Sequence, residues 1–339
     1  MASNPFNLHT HTINDKPSSP FPLSKTLHQL STNLNRTRIS IFPIIPLKLQ
    51  SLTIFASLSS SSSSSSPSPP TSRQEAILQA KTSLLSTLKK PLNDPNLIIK
   101  SKKQNNQSRY RVEIPVVDES PDSITRLAFE VFGDFPVRRK GSQVRILMIW
   151  GNPILREKGV EAFGSVVPLG GGFEHGELGS VMTVYNRFSN WVDLVVFLAP
   201  TMSGLGPMKR IVESLDSKAV VLFNPSWRFE EESDFGEKMR GFVRSFEVVY
   251  AFLGLEVRGI FSKRNGVVFK CVRDGVLIDE NWSVFVEEDG RLKVVSRFKS
   301  RPSIAEVESV LYNLIAANSP VTKSVKFFRN LVSNVMGKK

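Results

Sequence analysis

The sequence predicts an α/β fold: a Rossmann-like three-layer core built on a mostly parallel sheet, with an antiparallel C-terminal extension. Three observations carry this. The runs VRILMIW (144–150), DLVVFLAP (193–200) and AVVLFNP (219–225) are apolar without alternation, as strands buried on both faces require. Between the last two lies GPMKRIVESL, where Met208, Ile211, Val212 and Leu215 mark a helix and complete a strand–helix–strand unit. After FEVVYAFLGLEV the texture changes. GVVFKCV and WSVFVEEDGRLKVVSRF, with a turn at Asp289-Gly290, read as antiparallel hairpins.

The N-terminal segment reads as an address. Residues 1–57 are rich in Ser, Thr and Pro and hold a single acid, Asp15, the composition of a chloroplast transit peptide; an ordinary disordered tail is the alternative. Its apolar patch is broken by Pro43, Pro46, Lys48 and Gln50, so it resembles neither a secretory h-region nor a membrane span. Residues 58–72 form a Ser/Pro-rich leader, and a single α/β domain is expected over 73–318.

The domain opens on a capping-box pattern, Ser72 with Glu75, ahead of a helix whose stripe is Ile77, Leu84, Leu85 and Leu88; Pro91 is expected to end it. A basic loop, KSKKQNNQSRYR, precedes the strand VEIPVV. Ser120 and Pro121 then start a second helix with the stripe Ile124, Leu127, Ala128 and Val131, closed at Gly133. A further capped helix begins at Ser303, with Glu306 three residues on, and carries Ile304, Val307, Leu311 and Leu314.

The formal net charge is +13. Residues 1–72 carry five of the 44 basic groups and one of the 31 acids, so residues 73–339 keep 39 against 30 and remain basic by nine. Anionic surfaces are therefore the natural partners. With Cys271 alone, no intramolecular disulfide or thiolate metal cluster can form. His175 is the one histidine of residues 73–339, which removes multi-histidine zinc sites; a histidine-dependent catalytic centre would have to be built on it.

The conspicuous stretch LGGGFEHGELGS (169–180) fails the tests it invites. It has no lysine for a P-loop, and a Gly-x-Gly-x-x-Gly match starting at Gly170 ends on His175. It reads as a mobile surface loop or lid. A better ligand candidate is DLVVFLAPTMSGLGPMKR, a strand followed by Gly204-x-Gly206 and a helix start, the order in which backbone amides meet an anion. With the strand ends around it, the candidate site comprises Thr201, Ser203, Gly204, Gly206 and Asn224, set where ligands of open α/β sheets bind. The competing reading is that these residues merely stop strands and cap helices. Glu230, Glu231, Glu232 and Asp234 read as a solvated helix start, and Asp118 and Glu119 as a turn and cap.

Residues 319–339 read as a basic amphipathic C-terminal helix. Val321, Val325, Phe328, Val332 and Val335 form a stripe, while Lys323, Lys326, Arg329, Lys338 and Lys339 face no acid. Lys323, Lys326, Phe328, Arg329 and Val332 are the candidate membrane or partner surface; packing against the protein's own domain is the other reading. The loops around Lys100–Arg111 and Arg138–Lys140 add basic surface. Nucleic acid is not favoured, because aromatic interleaving is thin.

With VEIPVVDES, DLVVFLAPT and VVLFNP in this order, residues 74–300 resemble a domain-of-unknown-function family of plant chloroplasts and cyanobacteria. One branch of that family includes low-photosystem-II-accumulation assembly factors, and another is joined to a chloroplast adenylate kinase. The resemblance implies chloroplast residence and a role in photosystem or thylakoid biogenesis, and it transfers no catalytic residue. The expectation is a non-enzymatic auxiliary protein without a cofactor, at the stromal face of the thylakoid membrane and bound to that surface or to a membrane-protein assembly partner. The alternative is a soluble stromal enzyme or binding protein for a nucleotide or phosphometabolite, a small-molecule anion.

Overall fold

The computed structural model describes residues 38–40, 67–93, 107–116, 118–164, 172–180, 191–215, 218–258, 263–276 and 281–318. In chain order the elements are β1 (Arg38–Ser40), α1 (Arg73–Asn93), β2 (Arg109–Glu113), α2 (Pro121–Phe132), β3 (Arg138–Arg139), β4 (Ser142–Gln143), β5 (Ile146–Trp150) and α3 (Pro153–Gly164). Then follow β6 (Phe173–Glu177), β7 (Leu194–Leu198), α4 (Leu205–Ser214), β8 (Ala219–Phe223), α5 (Glu237–Arg244), β9 (Glu247–Arg258), β10 (Lys263–Cys271), β11 (Trp282–Glu288), β12 (Arg291–Phe298) and α6 (Ile304–Asn318).

One ten-stranded sheet organises the fold, in the order β12-β11-β10-β9-β2-β8-β7-β5-β6, with β1 added on β9. From β9 through β6 all neighbours run parallel, and β10, β11 and β12 continue the sheet antiparallel. The predicted α/β class and its antiparallel extension are both present. β1 falls within the segment assigned from composition to a transit peptide.

The non-alternating strands are explained by helices on both faces. In β5, Ile146, Met148 and Trp150 join one core cluster while Leu147 and Ile149 join another; β7 and β8 divide in the same way. On the first face α1, α2 and α3 cover a single core that runs from Trp150 across Phe223 and Val112 to Phe269 and Phe285. The second face holds two cores. One lies under α4 and α5, around Phe197, Leu222, Met208 and Phe242. The other lies under α6, around Leu255, Val268, Trp282 and Val307. The α2 stripe does what its spacing predicts: Leu127, Ala128 and Val131 are fully buried, and an aliphatic side chain so placed contributes about 1.5–3 kcal/mol.

Helix starts follow the sequence closely. The Ser72 hydroxyl accepts from Glu75 N at 3.1 Å, although the Glu75 carboxylate reaches Thr71 N rather than Ser72. Ser303 and Glu306 form the reciprocal box in full, with Ser303 N donating to Glu306 and Glu306 N to the Ser303 hydroxyl. Ser120 accepts from Ser123 N at 3.3 Å.

Three expectations are corrected. α1 runs two residues past Pro91, because a proline in the last turn costs one terminal hydrogen bond while Leu92 is buried. Gly133 does close α2, but in a right-handed conformation (φ −58°); its role is steric, since a Cβ there would lie 2.7 Å from the Phe129 carbonyl oxygen. The supposed loop contains β6. Phe173–Glu177 pairs with β5 from Ile146↔Phe173 to Trp150↔Glu177, so the exposed edge of β5, and not local propensity, makes this Glu- and Gly-containing segment a strand.

Candidate ligand site at the carboxyl ends of the strands

The chain leaves β5 through α3 on the first face to reach β6, and leaves the adjacent β7 through α4 on the second face, in the opposite direction, to reach β8. Adjacent strands with diverging connections create a crevice at their carboxyl ends, which is where open α/β sheets take ligands. The structure brings Thr201, Ser203, Gly204 and Gly206, which follow β7, to the same sheet end as Asn224, which follows β8. Lys323, Lys326, Phe328, Arg329 and Val332 lie outside the described residues.

Each strand makes one further ladder bond before it departs. Gly151 N donates to Leu198 O, Ala199 N to Phe223 O, and Asn224 N to Val112 O. Ala199 (φ 45°) and Asn224 (φ 42°) then turn the chain through the left-handed region. Asn visits this region more readily than most side chains, whereas Ala at this φ costs about 1–2 kcal/mol. Gly151 is required by the neighbouring turn, since a Cβ there would sit 2.3 Å from Ala199 O.

The polar residues at these ends are used by the fold. Asn224 Oδ1 accepts from Ile114 N and its Nδ2 donates to Ile114 O, both at 2.8 Å, so the side chain ties β8 to the continuation of β2 beside the crevice. Asn152 Oδ1 accepts from Leu155 N and caps α3. Ser226 donates to Ala199 O at 3.1 Å. Gly204 is a close-approach glycine whose Cβ would meet Leu178 at 2.3 Å, whereas a Cβ on Gly206 would meet nothing within 4 Å. Lys209 pairs with Glu213 one turn along α4. The Thr201 and Ser203 hydroxyls lie 3.0 Å apart and exposed at the start of this segment, the arrangement here best able to receive an anion.

His175 is not poised for proton transfer. It stacks on Trp150 (centroids 6.1 Å apart, planes 9° apart), meets Phe163 edge-on, and accepts from Trp150 Nε1 through Nδ1 at 3.0 Å. Burial, with a smaller contribution from Arg156, lowers its pKa to about 4, so the ring is neutral at physiological pH. Gly159 exists for the same aromatic group: a Cβ there would lie 2.1 Å from the Trp150 ring.

The sequence reading missed a four-residue charge cluster on the second face. Arg111 and Glu113 project from β2, and Arg111 sits 2.6 Å from both Glu113 and Glu232. Arg301, between β12 and α6, reaches Glu113 at 2.9 and 3.4 Å and Glu232 at 3.3 Å. Trp227 Nε1 donates to Glu232, and Arg301 lies over Phe229 and Trp282. Burial pushes the Glu113 carboxyl up, but the two guanidiniums outweigh it and hold it below the usual carboxylate range. Glu232, read as solvated, is instead the keystone of this cluster. The signal available was the strict alternation in RYRVE, charged residues on one face of a strand that proves central.

Among the described residues, no group of three or more His, Cys, Asp or Glu side chains is placed to hold a metal ion, and no helix is long and apolar enough to cross a membrane. No curated protein matches the chain. A family model does match, over residues 70–309, the span from the leader's end through the first turns of α6. The chain therefore belongs to the family described as Domain of unknown function (DUF1995).

Proposed function

We propose that this protein is a non-enzymatic auxiliary protein of the chloroplast, serving photosystem or thylakoid biogenesis from the stromal face of the membrane and held there peripherally by its basic surface and C-terminal segment. The observation that carries the reading is that the polar groups best placed for chemistry are already taken by neighbouring residues. Asn224 is bound twice to Ile114, Glu113 is shared by two arginines, and His175 Nδ1 is filled by Trp150. Groups so committed hold a fold, leaving the surplus of basic over acidic residues as the chemistry available to a partner. The transit-like start and the family resemblance support the compartment.

A stromal anion-binding role remains the second reading, favoured by the exposed Thr201–Ser203 hydroxyl pair. Fractionation of chloroplasts separates the two. Recovery on thylakoids, with release by high but not low salt, is expected from a peripheral electrostatic contact. Recovery in the stroma at low salt would overturn the membrane reading in favour of the second one.

A further inference from the structure

We propose that the amino-terminal end of the sheet carries a docking site for anionic lipid headgroups, formed by Lys89 and Lys90 of α1 with Arg138 and Lys140 of the β3–β4 hairpin. The inference rests on the peripheral-membrane reading and gives it a place on the described fold, at the opposite end of the sheet from the candidate ligand site.

The four basic residues form two pairs distant in sequence, brought together by one side chain. Asn93, the last residue of α1, donates from Nδ2 to Lys89 O at 3.0 Å and to Arg138 O at 3.1 Å; its Oδ1 accepts from Lys140 N at 3.3 Å. The helix end and the hairpin are thereby fixed to each other. All four basic side chains are exposed, and among the described residues none has a carboxylate partner. Among the described residues, the nearby carboxylates are already taken. Asp134 is held by Lys81, and Asp193 lies between Arg139 and Arg145. Burial raises the Asp193 carboxyl, but the Arg145 backbone amide and Arg139 more than reverse this, so Asp193 stays ionised within its own group.

Local structure explains part of this charge but not all of it. Lysines in the last turn of α1 suit the negative end of the helix dipole. Lys140 has no such reason. It occupies the first position of a two-residue hairpin turn with φ 50°, followed by Gly141 at φ 83°, a geometry that favours Asn, Asp or Gly. A lysine there strains the backbone and places a cation at the tip.

The surroundings favour a headgroup plane over nucleic acid. Leu92, Phe135 and Val137, the larger apolar residues nearby in the chain, are buried, so among the described residues the patch offers no aromatic surface on which bases stack. A charged bilayer needs only exposed cations within a Debye length of its surface.

The test is flotation of the full chain with phosphatidylcholine vesicles, with and without phosphatidylglycerol. Lys140→Asn combined with Arg138→Gln keeps a residue suited to the turn. Lys89→Gln combined with Lys90→Gln keeps good helix formers. Each pair is expected to weaken binding to the anionic vesicles about 30-fold, at about fivefold per neutralised charge, without changing the background on phosphatidylcholine alone. Wild-type binding that neither pair alters would overturn the docking site and leave the peripheral reading to other basic segments. No wild-type binding to anionic vesicles would overturn both. Tighter binding to a nucleic-acid duplex than to vesicles, lost in the same variants, would make the patch a phosphate-backbone site and overturn the lipid assignment.

Discussion

The two faces of the sheet solve the same packing problem in different ways. On the first face, one apolar core passes without interruption under α1, α2 and α3, and His175, packed against its aromatic rings, is kept neutral. On the second face, two apolar cores are separated at β2 by Arg111, Glu113, Glu232 and Arg301. The difference follows from what each face must join. The first face is closed by helices from the first half of the chain. The second joins α5 to the C-terminal extension and α6, and Arg301 is the residue that ties that late segment to the central strand. An apolar core tolerates volume-conserving change, whereas a buried charge cluster tolerates only change that keeps it neutral.

The largest expected effect tests that contrast directly. Arg111→Met preserves much of the volume but leaves two carboxylates facing one arginine, and it should destabilise the fold by about 3–5 kcal/mol in urea unfolding. Leu127→Met on the first face, also fully buried, should cost less than about 1.5 kcal/mol. Adding Glu232→Leu to Arg111→Met restores neutrality, with Arg301 bidentate on Glu113, and should recover most of the loss. Equal costs for the two single variants would erase the distinction between the faces.

This cluster also marks the limit of what the sequence made legible. The parallel strands were readable because burial on both faces leaves a composition with no alternation, and the capped helices because Ser and Glu three residues apart act locally. The cluster was not, since Arg301 meets Glu113 across 188 positions and Glu232 meets Arg111 across 121. No local pattern encodes such a pairing. β6 was missed for a related reason, as its strand character comes from β5. For the candidate ligand site, the sequence placed Asn224 at a strand end correctly but could not reveal that its side chain is spent on Ile114.

A somewhat smaller effect separates the faces by pH. His175 has an ordinary pKa of 6.5 in the unfolded chain and about 4 when folded, so the unfolded state binds the proton more readily. Its contribution is fully present above pH 6.5 and is lost as pH falls towards 4, amounting to about 3 kcal/mol. Glu113, also held down in the folded state, titrates lower: its contribution persists above the usual carboxylate range and is lost only as pH drops through its depressed folded value. His175→Gln keeps an acceptor for Trp150 Nε1 without titrating, and should flatten the slope between pH 6.5 and 4 while leaving the more acidic loss in place. An unchanged slope in that variant would mean that the first face does not hold a neutral histidine.

The smallest effect lies at the seam between β2 and β8, where connections leave towards opposite faces. Asn224→Gly retains the left-handed backbone at φ 42° and removes only the two bonds to Ile114, so it should cost about 1–3 kcal/mol, most of it from the Ile114 groups left without partners. Asn224→Ala removes the same bonds and must also hold an alanine in the left-handed conformation, adding about 1 kcal/mol. The difference between the two variants measures the backbone contribution, and the glycine variant alone measures the tie. If Asn224→Gly is neutral, Asn224 is not a structural tie, and its side chain returns to the pool of groups free to meet a ligand beside Thr201 and Ser203. If it is costly, the side chain is committed to the fold, and this asparagine acts as an extra rung between β8 and β2 at the sheet end.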